Sequence, residues 1–166
     1  MITTHIGNIF DEVLKIANEQ PDVLHVIVHG CNAQGRMGSG IAKEVRERFP
    51  AAYDVYYTEF STKGLKLGSL TEIAITPNVM LFNAITQQNY GYDGKKYVKY
   101  DAVYDAFNCI SLILSDELLN EAGLKSYSLN FPLIGAGLAG GNWDVISTII
   151  DTTVPNTVPK NLYKLN

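Results

Sequence analysis

The stretch that decides the fold runs from His29 to Ile41 and reads HGCNAQGRMGSGI. It follows Val23–Val28, a β-branched apolar run that predicts a buried strand, and it leads into an amphipathic helix that Pro50 ends. A loop between a strand and a helix start offers unpaired backbone N–H groups and the positive end of the helix dipole, which together favour a phosphate group. Three glycines let the backbone approach such a ligand closely: Gly35, Gly38 and Gly40.

A second glycine-rich loop repeats this arrangement. Residues 134–141 read IGAGLAGG, after a predicted strand over Tyr127–Phe131 and before a helix that Asn142 can cap. Ligands of open α/β sheets bind at the carboxyl ends of strands, so we expect the two loops to form two walls around one diphosphate. Neither loop has the spacing of the dinucleotide-binding motif, and the chain has no Gly-Lys-Ser/Thr sequence for a P-loop.

The rest of the chain alternates between helical and strand patterns. Helical spacing covers Ile9–Glu19 and Val103–Leu118, and strand patterns cover Leu70–Thr76, Val79–Thr86 and Asn161–Leu165. The turn pair Pro77-Asn78 joins the strand patterns Leu70–Thr76 and Val79–Thr86 and predicts a hairpin. The pattern therefore predicts an α/β fold, a three-layer α/β/α sandwich with a mixed central sheet. Because no linker or low-complexity segment divides the chain, we expect one domain over residues 1–166.

Composition excludes several classes of function. The net charge is −4 and the 13 basic residues are dispersed, which disfavours nucleic acid as a partner. Cys31 and Cys109 fit no zinc, redox or disulfide pattern, so we expect no metal and no cofactor. No segment has the run of apolar residues that a membrane span needs, and the first residues do not resemble a signal peptide. We therefore expect a cytoplasmic protein whose partner is a small molecule; the oligomeric state is left open.

Four segments, in this order along the chain, resemble the macro domain family. They are Gly7-Asn8-Ile9, the HGCN sequence at 29–32, the MGSGIA sequence at 37–42, and the PLIGAGLAGGNW sequence at 132–143. Within the family, the chain is most similar to the branch of ADP-ribose 1″-phosphate phosphatases of the yeast type and their phage and bacterial homologues.

This resemblance implies a cleft that binds ADP-ribose or ADP-ribose 1″-phosphate. Asn8 would meet the adenine amino group, where many macro domains carry Asp, and Ile9 would add a backbone contact. The two loops would hold the phosphates and the distal ribose. The substrate-binding residues expected there are Gly35, Met37, Gly38, Ser39, Gly40, Ile41, Gly135, Ala136, Gly137, Leu138 and Ala139.

Two residues are candidates for catalysis. His29 could exchange a proton near the distal ribose, as the phosphatase branch implies, or it could be a buried strand residue bonded to a neighbour. Asn32 could orient the ribose or a water molecule, or it could close the turn after the strand. Cys31 is expected to be a small core residue, and the loop over Gln87–Lys99 could cover the ligand or be a plain surface loop.

Three functions remain open on these residues. The first is a phosphatase that converts ADP-ribose 1″-phosphate to ADP-ribose and phosphate, and the second is a non-catalytic ADP-ribose reader. The third is a de-ADP-ribosylating hydrolase. Macro domains that use a Lys and Asp pair for that reaction would, by the resemblance, need these residues near Gln87 and Ala139, where the chain has neither.

Overall fold

The computed structural model describes all residues, Met1 to Asn166, and contains one six-stranded sheet. Its strands lie in the order β1-β6-β5-β2-β4-β3; all neighbours are parallel except β3 and β4, which form the predicted hairpin. The sheet is therefore mixed, as predicted. In chain order the elements are β1 (Ile2–Ile6), α1 (Ile9–Glu19), β2 (Val23–Asn32), α2 (Gly40–Arg48), α3 (Pro50–Thr62), β3 (Leu70–Thr76), β4 (Val79–Gln87), α4 (Tyr100–Ile113), α5 (Asp116–Glu121), β5 (Ser126–Phe131), α6 (Trp143–Thr153) and β6 (Lys160–Lys164).

Side chains of β2 alternate between two apolar clusters, one on each face of the sheet. Val26 and Val28 pack with buried residues of α4 and α6, whereas Ile27 and Cys31 pack with buried residues of α1 and α3. Helices thus cover both faces, and the prediction of a three-layer α/β/α sandwich is confirmed. None of the helices combines the length and the apolar character that crossing a bilayer requires.

Three elements differ from the prediction. Pro50 ends α2 and at the same time begins α3, because proline is well suited to the first turn of a helix, where its missing N–H is not needed. The predicted helix from Val103 to Leu118 is two helices, since the Ser115 side chain accepts a hydrogen bond from Leu118 N and starts α5. The third is β1, which was not among the predicted strands. It lies at the sheet edge and pairs only with β6, from the other end of the chain.

The topology brings the carboxyl ends of three strands to one edge of the sheet. Strand β2 lies between β5 and β4 and is parallel to both. The loop after β2, the loop after β5 and the segment after β4 consequently begin at neighbouring positions on that edge.

Candidate functional site

The two glycine-rich loops face one cavity of about 490 Å³ at this edge of the sheet. The prediction that they converge on one cleft is thereby confirmed. The predicted site residues that line the cleft are His29, Asn32, Gly38, Ser39, Gly40, Ile41, Gly135, Gly137, Leu138 and Ala139.

Five of the predicted binding residues do not line this cleft: Asn8, Ile9, Gly35, Met37 and Ala136. Ile9 and Met37 are buried in the apolar cluster under α1 and α3. The Asn8 side chain caps α1 by accepting from two backbone N–H groups, and its Nδ2 donates to Glu44 at 2.8 Å. The role of Asn8 at the adenine end stays a prediction.

Helix α2 begins at the first loop with its backbone donors free. Its N-cap residue, Ser39, makes no side-chain capping bond, although serine is a favoured capping residue. The first N–H group of this helix that finds an acceptor in the protein belongs to Lys43, which donates to the Ser39 carbonyl at 3.2 Å. The preceding N–H groups are left for water or an anionic ligand, which the helix dipole favours.

The second loop also carries free backbone donors. Its internal hydrogen bonds include the one from Gly141 N to the Gly135 carbonyl at 2.7 Å, which closes the loop on itself. By contrast, the N–H groups of Gly137, Leu138 and Ala139 donate to no protein group. Both walls of the cleft therefore contain residues able to donate to phosphate oxygens.

The glycines of the two loops fall into two classes. A Cβ atom at Gly35 would lie 2.5 Å from the Phe60 ring, and one at Gly135 would lie 2.6 Å from Val98 Cγ2, so tight packing requires these two glycines. At Gly38 and Gly137, no atom lies within 4 Å of the Cβ position. These two leave open space at the cleft that a side chain would occupy.

Helix α3, which the sequence did not predict, holds the first loop in place. The buried Tyr56 hydroxyl lies 2.7 Å from the Asn32 carbonyl oxygen, to which it donates, and accepts from Arg36 N at 3.1 Å. Tyr53 donates to the Gly35 carbonyl at 3.0 Å. Burial raises the pKa of Tyr56, so its hydroxyl stays protonated and remains a donor. The only sequence signal for this support was Pro50 as a helix start.

His29 lies at the cleft with its imidazole buried and bonded inside the protein. Its Nε2 is 2.6 Å from Asn83 Oδ1, and the Asn83 Nδ2 donates to the Ala52 carbonyl and to Thr71 Oγ1. This arrangement makes Nε2 the protonated nitrogen of His29. Burial lowers the pKa of His29 to about 4, so the imidazole is neutral at pH 7. Neutral His29 could accept a proton through Nδ1, and it also joins β2 to β4.

The thiol beside His29 is not a nucleophile at neutral pH. Cys31 Sγ lies 3.6 Å from His29 Nε2 and 3.8 Å from Nδ1, and it is buried. Burial raises the pKa of Cys31 well above its usual range, so the group stays a thiol. This placement agrees with the interpretation of Cys31 as a core residue.

The side-chain amide of Asn32 is used within the first loop. Its Oδ1 accepts from Gln34 N at 2.9 Å and its Nδ2 donates to the Arg36 carbonyl at 2.9 Å. Asn32 thus closes the turn after β2, in agreement with one of its two interpretations, and it also lines the cleft. Its role in orienting the ribose or a water molecule stays a prediction.

The segment after β4 forms a further wall of the cleft. For this loop, over Gln87–Lys99, the sequence left open whether it covers the ligand or is a plain surface loop. Tyr90, Gly91 and Tyr92 line the cleft, and Tyr92 is 68% exposed. The segment is joined to the second loop, because Tyr97 N donates to the Ala139 carbonyl at 2.7 Å. Tyr90 and Tyr92 therefore offer aromatic surface to a ligand in the cleft.

Among the lining residues that sequence reasoning did not select, Arg36 is the one with a charge. No aspartate, glutamate or lysine lines the cleft. The cleft therefore suits an anionic ligand and offers no carboxylate for acid or base catalysis.

Comparison with known proteins places these features in a family. The model of the Macro domain matches residues 28–150. An uncharacterized 17.5 kDa protein in the tk-vs intergenic region of Enterobacteria phage T4 is 35% identical over 131 residues, which are 76% of this chain and 77% of that protein. The ADP-ribose 1″-phosphate phosphatase of Neosartorya fischeri is 38% identical over 47 residues, only 25% of this chain and 24% of that protein.

Solved structures agree in fold. A protein of unknown function from Bacteroides thetaiotaomicron has a TM-score of 0.81 at 22% identity and covers 98% of this chain and 97% of its own. Thermosipho africanus DarTG in complex with ADP-ribose has a TM-score of 0.69 at 19% identity, covering 98% of this chain and 41% of its own. With a family model that spans most of the sequence and this shared architecture, the chain belongs to the macro domain family.

Proposed function

We propose that the cleft binds ADP-ribose or its 1″-phosphate. The observation that carries the proposal is the meeting of two glycine-rich loops, each with free backbone donors, at one cleft of about 490 Å³. Such donors can hold a diphosphate without lysine, which suits a chain of net charge −4. The activity of the relatives named ADP-ribose 1″-phosphate phosphatase and the ADP-ribose in the DarTG complex support the same chemistry.

In this proposal the diphosphate lies between the loops and the distal ribose lies near Asn32. The open positions at Gly38 and Gly137 give the phosphates room to approach the backbone. Tyr90 and Tyr92 cover the ligand from the segment after β4. We keep Asn8, which would meet the adenine amino group, and Ile9, which would add a backbone contact, as the residues of the adenine end.

The second part of the proposal is hydrolysis of the 1″-phosphate, which the match to fungal phosphatases favours. A water oxygen bonds to phosphorus, the bond between phosphorus and the 1″ oxygen breaks, and the leaving oxygen takes up a proton from solvent. Neutral His29 accepts the proton of the attacking water, and Asn32 orients the ribose or the water. The products are ADP-ribose and inorganic phosphate.

The two other functions make different demands on the same cleft. Gln87 and Ala139 both line it, so the places where a Lys and Asp pair would act are present, but neither residue can ionise. A reader needs only the binding surface. The phosphatase requires in addition that His29 or Asn32 affect turnover.

Calorimetry with ADP-ribose, followed by a phosphate-release assay with ADP-ribose 1″-phosphate, separates the phosphatase from the reader. Release of ADP-ribose from a modified protein would select the hydrolase. The His29→Gln variant keeps a donor for Asn83 Oδ1 and removes the proton acceptor. We expect it to bind ADP-ribose like the wild type and to lose at least about 100-fold in turnover, as is usual for a lost general base. Equal turnover in both proteins would remove His29 from the reaction, and binding with no phosphate release by the wild type would select the reader. Absence of any binding would refute the proposal.

A further inference from the structure

Arg36 supplies the positive charge of the cleft. It lies between the strand β2 and the start of α2, and its side chain is exposed. The other polar groups that the proposed ligand would meet are neutral: backbone N–H groups, amides, hydroxyls and the His29 imidazole. A guanidinium in such surroundings is the strongest local attraction for a second anionic group.

The backbone of Arg36 is fixed whereas its side chain is free. Its N–H donates to Tyr56 at 3.1 Å and its carbonyl accepts from Asn32 Nδ2 at 2.9 Å. Its guanidinium, by contrast, forms no hydrogen bond and no ion pair in the protein. A fixed backbone holds the position of the group at the cleft, and the free guanidinium is available to a ligand.

The remaining arginines of the chain are engaged elsewhere. Arg46 lies over the Tyr53 ring at 4.1 Å. Arg48 pairs with both Asp11 and Glu44 at 2.8 Å. The chain contains three arginines, and Arg36 is the one that has neither an acidic nor an aromatic partner.

We propose that Arg36 binds the terminal phosphate of the ligand and so determines a preference for ADP-ribose 1″-phosphate over ADP-ribose; this rests on the proposed function of the cleft. The backbone donors of the two loops account for the diphosphate, which both ligands share. The terminal phosphate is attached to the distal ribose, which we place near Asn32. Asn32 Nδ2 donates to the backbone carbonyl of Arg36, so the two residues are neighbours at the cleft. A phosphate monoester carries close to two negative charges at neutral pH, and arginine can bind it with two parallel hydrogen bonds.

The test compares two ligands on matched variants. The ligands are ADP-ribose and the methylene phosphonate analogue of ADP-ribose 1″-phosphate, which cannot be hydrolysed at the replaced ester bond. The variants are Arg36→Gln, which removes the charge, and Arg36→Lys, which keeps the charge without the paired donors. Lys43→Gln on α2 is the control, because Lys43 is exposed, lies outside the cleft and gives the same change in net charge as Arg36→Gln.

We expect the wild type to prefer the phosphonate. Arg36→Gln should raise its Kd about 10- to 100-fold, the range of a lost charge-assisted contact, while the Kd for ADP-ribose changes by less than about 2-fold. Arg36→Lys should be intermediate and Lys43→Gln unchanged.

Two results with Arg36→Gln would overturn this assignment: equal weakening of both ligands, which would place Arg36 on the shared diphosphate, or no weakening of either. In both cases ADP-ribose binding by the wild type would leave the proposed function intact. If the wild type bound neither ligand, the proposed function itself would fail, and the role of Arg36 with it.

Discussion

Gly137 is the residue at which binding and folding can be separated most cleanly. It lines the cleft in the second loop, and no atom lies within 4 Å of the place where a Cβ would stand. Its φ is not positive, so its backbone lies outside the left-handed region. A Gly137→Ala substitution therefore fits the folded backbone, and it should leave stability unchanged or raise it by about 0.4–1 kcal/mol through a less flexible unfolded chain.

The same methyl group should weaken ligand binding. It would occupy the open space beside a backbone N–H that has no protein acceptor. A phosphate oxygen would then have to move out of hydrogen-bond distance, which is about 2.9 Å between the heavy atoms. Loss of one hydrogen bond to a charged group costs about 1.5–3 kcal/mol, so the Kd for ADP-ribose should rise about 10- to 150-fold.

Gly135→Ala in the same loop is the contrasting variant. The φ of Gly135 is +70°, and the new Cβ would lie 2.6 Å from Val98 Cγ2. Strain in the left-handed region and overpacking should together cost at least about 2 kcal/mol of folding stability. Urea unfolding and calorimetry on both variants are the measurements. Unchanged affinity in Gly137→Ala, with the protein folded, would refute the claim that this open space belongs to the ligand.

Two further predictions concern the support of the site. Tyr56→Phe removes the hydroxyl that accepts from the part-buried Arg36 N–H and donates to the Asn32 carbonyl, so the unfolding free energy should fall by about 1–3 kcal/mol and ADP-ribose affinity should fall as the first loop loosens. Tyr57→Phe, at a half-exposed position, should change neither, and equal behaviour of the two variants in urea titration and calorimetry would count against a role for the Tyr56 hydroxyl. Acid should destabilise the fold through His29, because its pKa of about 4 in the folded protein lies below the value of 6.5 in the unfolded chain. The unfolded chain therefore binds more protons, and the stability present above pH 6.5 is lost as the pH falls toward 4, by about 2 kcal/mol at pH 5. His29→Gln should lose less between pH 7.5 and 5 in urea unfolding, and a parallel loss in both proteins would contradict this assignment.

The sequence predicted the fold well where the signals were local. The strand before the first loop, the hairpin through Pro77-Asn78 and the helix capped by Asn142 are each marked by residues within a few positions of one another. Strand β1 is stabilised by pairing with β6, from the opposite end of the chain, and no pattern within Ile2–Ile6 indicates that partner. Helix α3 was missed because Pro50 both ends one helix and begins the next.

The site was predictable as two loops but not in its details. Glycine spacing located both walls, yet nothing in the sequence distinguishes Gly135 from Gly137. The positive φ of Gly135 and its packing against Val98 make it the glycine that folding requires. Tyr56 acts on the first loop from a helix 20 residues further on than Arg36, a contact that depends on the tertiary structure. The exposed charge of Arg36 has no pattern of its own in the sequence.

Backbone amide NMR during a titration with ADP-ribose tests most directly whether the two loops hold one ligand. The amide signals of Gly38 and Gly40 in the first loop and of Gly137 and Ala139 in the second should shift together, along one saturation curve. Shifts confined to a single loop, two curves with different midpoints, or no shift at millimolar ligand would contradict a shared diphosphate site.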